Sequence, residues 1–354
     1  MSGAAGWLDR RTGWRDFFRR HFTEARLPVG SDSWLSLGWV LVFAFALQIA
    51  TGMLLLLYFV PAPEQAFESV GRIMSEVPYG WFVRLIHSHA ANWMVLGLFV
   101  HLFHTALSGS YKAPRELTWI TGCLLLLMVL GMALSGYILP WSQLSYWATT
   151  VVTASFRYVP FVGQELVEWV RGGELVGAPT FRRAFMAHVA LLPAGLALVL
   201  VFHLALARRA GPAPPPVRGR TSSGTAPGAG IPFHPRFVLK HGIQIVLFLM
   251  LVFATVFFAP HLFSPLESFL AADPFDTPPN VKPEWYLLWA YQLPRMVPER
   301  LSLVLQGVAV TGLFALPFLD RGPARHPLDR PAATAAVLLA LVALVVLTVL
   351  GYLA

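Results

Sequence analysis

Residues 80–111 of this chain read GWFVRLIHSHAANWMVLGLFVHLFHTALSGSY, and this stretch decides the fold. It is apolar over more than the roughly 20 residues that a helix needs to cross a bilayer. It nevertheless contains four histidines, His87, His89, His101 and His104. Ionisable side chains are costly at membrane depth and usually have a function there. The stretch therefore predicts a membrane-spanning helix whose histidines bind a ligand.

The composition extends this interpretation to the whole chain. Hydrophobic residues make up 56% of the 354 residues and charged residues 12%, whereas about a quarter of a soluble domain is charged. Seven apolar runs are long enough to cross a bilayer, so we predict an all-α polytopic membrane protein with short surface helices. The predicted spans are residues 34–60, 81–108, 117–139, 184–207, 243–263, 302–319 and 332–353.

The charged residues are divided unequally between the two sides of the predicted membrane protein. The segment 1–33 and the loops after spans two, four and six carry 17 Lys/Arg and 7 Asp/Glu. The rest of the chain carries 9 Lys/Arg and 11 Asp/Glu. Excess Lys and Arg mark the cytoplasmic side, so we predict a cytoplasmic N-terminus and an outward C-terminus. The net charge of +8 thus predicts orientation and no nucleic-acid partner. We call the cytoplasmic side the n side and the opposite side the p side.

The chain divides into four predicted segments. Residues 1–33 form a cytoplasmic amphipathic segment and 34–210 a four-helix bundle; 211–230 are a Pro/Gly/Ser-rich linker and 231–354 a three-helix unit. The loop 140–183 contains FVGQELVEWVRGG, which predicts a short helix on the membrane surface.

Histidines in two predicted spans form matched pairs. His101 follows His87 at position i+14, and His203 follows His188 at position i+15. These intervals correspond to about 21 and 22 Å along a helix. Spans two and four run in the same direction, so the two helices present facing pairs at two depths. Two imidazoles on opposite sides of a flat macrocycle ligate haem, and the array predicts two b-type haems.

Glycines repeat the same interval. Gly52 follows Gly38 at position i+14 in span one, and Gly136 follows Gly122 at position i+14 in span three. A glycine leaves room where a macrocycle presses against the backbone, although small residues also serve ordinary helix packing. The spacing alone leaves the histidine register open, because His104 also follows His89 at position i+15.

A discrete metal ion is the competing interpretation of the histidines. A zinc site needs about four ligands close together, and no carboxylate or thiolate lies near these positions in the sequence. The single cysteine, Cys123, excludes iron–sulfur clusters and intrachain disulfides.

Several motifs together resemble cytochrome b of the quinol–cytochrome c reductases, the bc complexes. The motifs are Gly80-Trp81 with Arg84, His87, His101 and Gly109-Ser110-Tyr111; His188 to Pro193 with His203; Gly136 to Trp141; and Pro283-Glu284-Trp285-Tyr286. The resemblance implies that His87 and His188 ligate a p-side haem and His101 and His203 an n-side haem. It leaves His89 and His104 without an iron.

The subtype pattern is mixed, because Phe233-His234-Pro235 with Lys240, and Tyr291, resemble the mitochondrial and proteobacterial type. The seven spans and the interval of 15 resemble the photosynthetic reductases, in which a four-span cytochrome b is separate from a three-span subunit IV. This chain is similar to a fusion of the two through the 211–230 linker. The split-type cytochrome has a cysteine that tethers a third haem, and Ser36 stands at the matching position. No covalent third haem is therefore expected.

The p-side quinol site is predicted around Glu284. A carboxylate in this apolar setting should have a raised pKa, and quinol oxidation releases protons that need an acceptor. Glu284 is therefore the predicted proton acceptor. The other predicted site residues are Pro283, which fixes the loop, Trp285 and Tyr286 of the same motif, and Tyr137 and Tyr291 as polar wall residues.

Other basic and aromatic residues are assigned to the haem propionates and to the n-side quinone. Arg84 and Arg183 lie a few residues before the p-side ligands and could pair with propionates. Trp119 is the n-side candidate for a propionate. The predicted n-side quinone or proton contacts are Arg208, Lys240 and His241.

The resemblance implies a bifurcated quinol oxidation in a bacterial inner membrane. Its implied partners are a Rieske iron–sulfur protein, a c-type cytochrome subunit and a second copy of this chain. Two other functions fit the histidines less well. A dihaem anchor that relays electrons for a dehydrogenase or hydrogenase would not need the 283–286 motif. A secondary transporter would not explain two matched histidine intervals.

Overall fold

The computed structural model describes residues 4–19, 24, 26–28, 37–211, 213, 215–219, 230–264, 266–279 and 281–354. Ser36 and most of the predicted linker lie outside the described residues, so the expectations attached to them stay predictions.

The chain is an all-α membrane protein, and its described residues include seven helices long and apolar enough to cross a bilayer. The predicted number of spans is confirmed. In chain order, spans one to seven are Gly38–Leu56, Gly80–Leu107, Glu116–Tyr137, Ala178–Ala210, Val238–Phe258, Glu299–Leu319 and Pro331–Leu353. Long apolar runs form these helices because a helix satisfies every backbone hydrogen bond within one segment, as a bilayer requires.

Shorter elements connect the spans. The short helices are Ala4–Thr12, Trp14–Phe18, Pro63–Ser75, Gln143–Ala154, Gly163–Arg171 and Leu288–Met296, with single turns at Ser155–Tyr158, Leu266–Phe269, Trp285–Leu287 and Pro327–Asp329. Gly163–Arg171 is the predicted surface helix. Two three-residue strands, Arg26–Pro28 and Gly230–Pro232, pair antiparallel, with Leu27 opposite Ile231.

Three helices in the connections, Pro63–Ser75, Gln143–Ala154 and Leu288–Met296, were not predicted, although the first two carry start signals. Pro63 occupies the first position of Pro63–Ser75, where its missing N–H and fixed φ do no harm. Ser142 and Ser145 form a reciprocal capping box at the start of Gln143–Ala154.

Spans one to four form a bundle, in which span one packs on span two and span three on span four. A single apolar cluster fills the interior and extends to span five. Its fully or nearly fully buried members include Ala44, Ala90, Val95, Leu196 and Val252. Span five packs against spans one and two, and span seven packs against Leu288–Met296.

Successive spans place the connections alternately at two ends of the molecule. Segments 57–79, 138–177 and 259–298 lie at the end that the sequence assigns to the p side, which we call the p end. Segments 108–115 and 320–330 and the described residues of 211–237 lie at the opposite n end.

A charged cluster joins the bundle to the C-terminal helices at the n end. Lys112 Nζ lies 2.8 Å from Asp320 Oδ1, and Arg330 Nη1 lies 3.2 Å from Asp320 Oδ2. Arg330 also donates to the carbonyls of Ala106 and Leu107 in the last turn of span two, where carbonyl groups lack the usual helical donors. Buried guanidinium groups at a helix C-terminus also complement its dipole.

Candidate functional site

His87 of span two and His188 of span four face each other near the p end. Their ring centroids are 6.2 Å apart, and the ring planes make an angle of 77°. A histidine nitrogen binds a metal at about 2 Å. Two such bonds, with the distance from each nitrogen to its ring centre, require centroids about 6 Å apart. The pair is therefore spaced for one iron between the rings.

His188 lies in an irregular turn of span four. Residues Ala187–Leu191 form a π turn between the helical segments Ala178–Met186 and Leu192–Ala210. Pro193 follows and has no N–H to continue the usual hydrogen-bond pattern. Such turns inside helices are frequent at functional sites.

The four predicted glycines lie against the four histidine rings, one glycine to each ring. A Cβ atom added at Gly38 would lie 3.9 Å from His101 Cε1, and one added at Gly52 3.3 Å from His87 Cε1. A Cβ atom added at Gly122 would lie 3.2 Å from His203 Cε1, and one added at Gly136 would lie 2.8 Å from His188 Nδ1. The glycines of spans one and three thus let each ring lie directly against the helix backbone, where a larger side chain would meet it.

Hydroxyl groups orient one histidine of each pair. Thr51 Oγ1 donates to the Leu47 carbonyl at 2.7 Å, so its oxygen accepts from His87 Nδ1–H at 2.9 Å. Thr121 Oγ1 likewise donates to the Thr118 carbonyl at 3.0 Å, so its oxygen accepts from His203 Nδ1–H, also at 3.0 Å. A proton fixed on Nδ1 leaves the Nε2 lone pair available for a metal.

The remaining two histidines differ from each other. His188 Nδ1 donates to the Met132 carbonyl at 2.9 Å. His101 Nδ1 is buried and has no hydrogen-bond partner among the described residues. Three of the four rings are therefore held in the tautomer that a haem ligand needs.

These residues fit haem better than a discrete metal ion. No group of three His, Cys, Asp or Glu side chains within the described part of the chain could hold a metal ion. The two facing imidazoles of His87 and His188 would supply two nitrogen donors to one haem iron, and the glycines let the histidine rings lie against the neighbouring helices. Cys123 is buried and free, as its apolar surroundings predict.

Glu284 lies at the p end, directly before the turn Trp285–Leu287. Burial raises its pKa to about 7, against the opposing attraction of the Arg84 guanidinium. Arg84 is half-buried and was predicted to pair with a propionate, but it also faces this carboxylate. Pro283 is buried beside it. The arrangement gives a carboxyl group that can gain and lose a proton near neutral pH.

The other predicted p-side residues lie around this loop. Tyr286 is buried, and Trp285 donates its indole N–H to Asn92. Tyr291 Oη donates to the Val281 carbonyl at 3.2 Å, so its hydroxyl also holds the loop. Tyr137 ends span three, one residue after Gly136.

Arg183 lies at the surface and not in the interior. It is exposed, and its Nε would be 3.1 Å from a Cβ atom added at Gly172. The structure therefore places it beside the end of the surface helix Gly163–Arg171.

At the n end, span five brings Lys240 and His241 into the interior, where they are 7% and 6% exposed. His241 Nδ1 donates to Gln244 Oε1 at 2.7 Å, while its Nε2 is buried without a partner among the described residues. Arg208 is exposed at the end of span four. Trp119 is 4% exposed, and its indole N–H donates to the Leu313 carbonyl at 2.7 Å. A propionate at Trp119 would have to replace this bond.

The sequence interpretation did not include several polar residues of the site. Thr51 and Thr121 stand directly before Gly52 and Gly122, and their position one residue before a conspicuous glycine was the signal available. Asn92 was not identified either, although a polar amide within an apolar span is itself such a signal.

Family comparisons match most of the chain in two parts. The family described as "Cytochrome b/b6/petB" matches residues 23–211, and "Cytochrome b(C-terminal)/b6/petD" matches residues 271–354.

Individual proteins match over nearly the whole length. A cytochrome b of Allochromatium vinosum is 35% identical over 334 residues, covering 90% of this chain and 80% of the relative. A cytochrome b of Rickettsia prowazekii is 34% identical over 332 residues, which cover 93% of this chain and 82% of the relative. A chain of a solved structure entitled "Hyperthermophilic respiratory Complex III" superposes with a TM-score of 0.90 at 34% identity, over 98% of this chain and 91% of that one.

Proposed function

Since this chain belongs to the cytochrome b family, we propose that it is the dihaem membrane subunit of a quinol–cytochrome c reductase. The observation that carries the proposal is the joint placement of three features: the facing pair His87 and His188, a second pair, His101 and His203, against Gly38 and Gly122, and Glu284 at the p end. A dihaem anchor would need the histidines alone. The match of the C-terminal family to residues 271–354 favours the reductase, because that part contains the Glu284 loop.

His87 and His188 would hold the p-side haem, and His101 and His203 the n-side haem. Arg84 and Arg183 remain the proposed propionate partners at the p side and Trp119 at the n side. When bound, the two haems supply one-electron carriers across the bilayer, so one quinol electron would cross while the other leaves through an iron–sulfur partner.

Glu284 would accept a proton from the quinol. Its burial keeps the carboxyl neutral below pH 7, and Arg84 favours the charged form. A base whose pKa is near the working pH is efficient because it can both accept a proton and release it. Pro283 and Trp285 hold the backbone on either side of Glu284, and Tyr137, Tyr286 and Tyr291 would line the quinol site.

At the n end, Lys240, His241 and Arg208 would bind the quinone or supply its protons. Gln244 fixes the Nδ1 proton of His241, so the free Nε2 is directed elsewhere as an acceptor. Taking up protons at this end and releasing them at the p end would contribute to proton translocation.

The proposed surroundings of the subunit follow from the family and the complex that it matches. We place it in a bacterial inner membrane with the N-terminus cytoplasmic, as the distribution of Lys and Arg indicates. The proposed partners are a Rieske protein, a c-type cytochrome and a second copy of the chain. The proposed domains are 34–210 for the haems and 231–354 for the quinol loop, joined by the 211–230 linker. No covalent third haem is proposed, because Ser36 stands where the split type has its cysteine.

The test is Glu284→Gln in the assembled complex, assayed for quinol-dependent cytochrome c reduction between pH 5.5 and 8.5. In the wild type the rate should fall as the pH drops through about 7, because a protonated Glu284 cannot accept the quinol proton. Glu284→Gln should lower the rate by at least about tenfold and remove this dependence. Both haems should still be visible in a reduced-minus-oxidised spectrum.

The matched control is Glu299→Gln, which removes an exposed p-end carboxylate at the start of span six. It should leave the rate and its pH dependence unchanged. An unaltered pH profile in Glu284→Gln would refute the proton role.

A further inference from the structure

The face of span two opposite His87 is hydrogen-bonded to the C-terminal part of the chain. His89, Asn92 and Trp93 share this face, since residues three and four apart are neighbours on a helix. His89 is fully buried, and its Nε2–H donates to the Pro260 carbonyl at 3.2 Å. Trp93 Nε1 donates to Thr255 Oγ1 at 3.2 Å. Span two is therefore fixed against the p end of span five.

Asn92 makes a different contact, with the loop that carries Glu284. Its Oδ1 accepts from Trp285 Nε1 at 2.8 Å, and Trp285 follows Glu284 directly. The Asn92 Nδ2 donates to the Ser88 carbonyl at 3.0 Å. This second bond fixes the orientation of the amide, so its oxygen is directed at the indole.

The contact between Asn92 and Trp285 is buried, so breaking it would leave a polar group without a partner. Asn92 is 9% exposed, and a buried amide or indole N–H without a partner is strongly disfavoured. Consecutive Cα atoms are about 3.8 Å apart, so the position of the Trp285 ring constrains the backbone of Glu284. The Leu287 N–H also donates to the Glu284 carbonyl at 2.8 Å, which holds the loop in its turn.

We propose that Asn92 is a positioning residue for quinol oxidation, which fixes Glu284 at the quinol by holding the indole of Trp285. The inference rests on the proposed function, in which Glu284 accepts the quinol proton. It adds that the helix bearing His87, the proposed p-side ligand, also sets the position of the proton acceptor.

The test compares Asn92→Leu, which keeps the branched shape of the side chain and removes the acceptor, with Trp285→Phe, which removes the donor. Each should lower kcat for quinol oxidation by about tenfold with KM for quinol within about twofold, because a misplaced base slows chemistry more than binding. The double variant should be no slower than the slower single variant, because one bond is broken in all three.

The matched control is Thr255→Val, which removes the neighbouring hydrogen bond from Trp93 on the same face without touching the Glu284 loop. It should leave kcat within about twofold of wild type. Haem spectra of every variant show whether the complex has assembled. If one of Asn92→Leu and Trp285→Phe fails to assemble, the other still reports on the same bond.

Two results would overturn the inference. One is an Asn92→Leu complex whose kcat is as high as that of Thr255→Val. If Glu284→Gln is slow in the same assay, the proposed proton role of Glu284 stands and the positioning role of Asn92 fails. The other is a double variant in which the two single effects multiply. If Glu284→Gln itself runs at the wild-type rate, the proposed proton role fails first and the inference fails with it.

Discussion

The two ends of the molecule repeat one plan for a histidine pair, yet they hold the pair differently. At the p end, both His87 and His188 donate from Nδ1 to an oxygen. At the n end, His203 does so, while His101 Nδ1 has no partner in the described part of the chain. The p-end pair is therefore more fully oriented than the n-end pair.

The ends also differ in how the bundle is joined to the C-terminal helices. The p end uses neutral hydrogen bonds, such as those from Trp285 to Asn92 and from Trp93 to Thr255. The n end uses charged groups around Asp320. Charges near Glu284 would shift its pKa strongly, so neutral bonds at the p end leave that pKa to burial and Arg84.

The largest expected effect compares two glycines. Gly136→Ala would place a methyl group 2.8 Å from His188 Nδ1, so the ring must move, whereas Gly38→Ala leaves 3.9 Å to His101 Cε1. We expect Gly136→Ala to lose most of the p-side haem and Gly38→Ala to lose much less. The measurement is haem per chain in the purified complex by pyridine haemochrome. Equal haem loss in the two variants would show that the n-end ring is as tightly packed as the p-end ring.

The sequence was sufficient for the number of spans, because bilayer thickness alone dictates the length of the apolar runs. The spacing was insufficient for the histidine register, since His87 and His89 lie on the same helix. Tertiary packing distinguishes their faces, with His87 against His188 and His89 against the Pro260 carbonyl. The contact between Asn92 and Trp285 joins residues 193 positions apart, which no local pattern encodes.

Among the predicted site residues, helix geometry explains the spacing that the sequence revealed, and tertiary contacts explain what it did not reveal. The interval of 14 between Gly122 and Gly136 is close to the interval of 15 between His188 and His203, the rings that they contact, because all helices share one rise per residue. The contact of Arg183 with Gly172 depends on the Gly163–Arg171 helix folding back beside span four, which the spacing of Arg183 from His188 does not reveal.

A smaller effect compares the joints at the two ends. Asp320→Asn would leave Lys112 and Arg330 buried without their carboxylate, which should destabilise the fold by about 3 kcal/mol. Thr255→Val at the p end should cost only about 1 kcal/mol. Thermal unfolding of the complex in detergent measures both, and equal losses would contradict the distinction between charged and neutral joints.

The pH dependence of the n-end joint has a definite sign. Burial opposes ionisation of Asp320, but hydrogen bonds from Lys112 and Tyr111 outweigh it and lower the pKa of Asp320. A lowered pKa means that the stabilisation is complete above the ordinary Asp value of about 4 and is lost as the pH falls below it. The difference between wild type and Asp320→Asn should therefore be constant from pH 6 to 8.

The smallest effect concerns the hydroxyl groups beside the histidines. Thr51 and Thr121 each precede a glycine that faces a ring, and Leu37 occupies the corresponding position before Gly38 and His101. A hydrogen bond from Nδ1–H makes an imidazole a more basic ligand, which favours ferric iron and lowers the midpoint potential.

Thr51→Val should therefore raise the potential of the p-side haem, and Leu37→Thr should lower that of the n-side haem. A hydrogen bond is worth about 1 kcal/mol, which corresponds to about 40 mV for one electron. Redox titration of the two haems in each complex measures the shifts, with the untouched haem of the same complex as the control. If Leu37→Thr leaves the n-side potential unchanged, the missing hydroxyl is not what distinguishes His101 from the other three ligands. The difference between the two ends would then lie in the charges near the n-side haem.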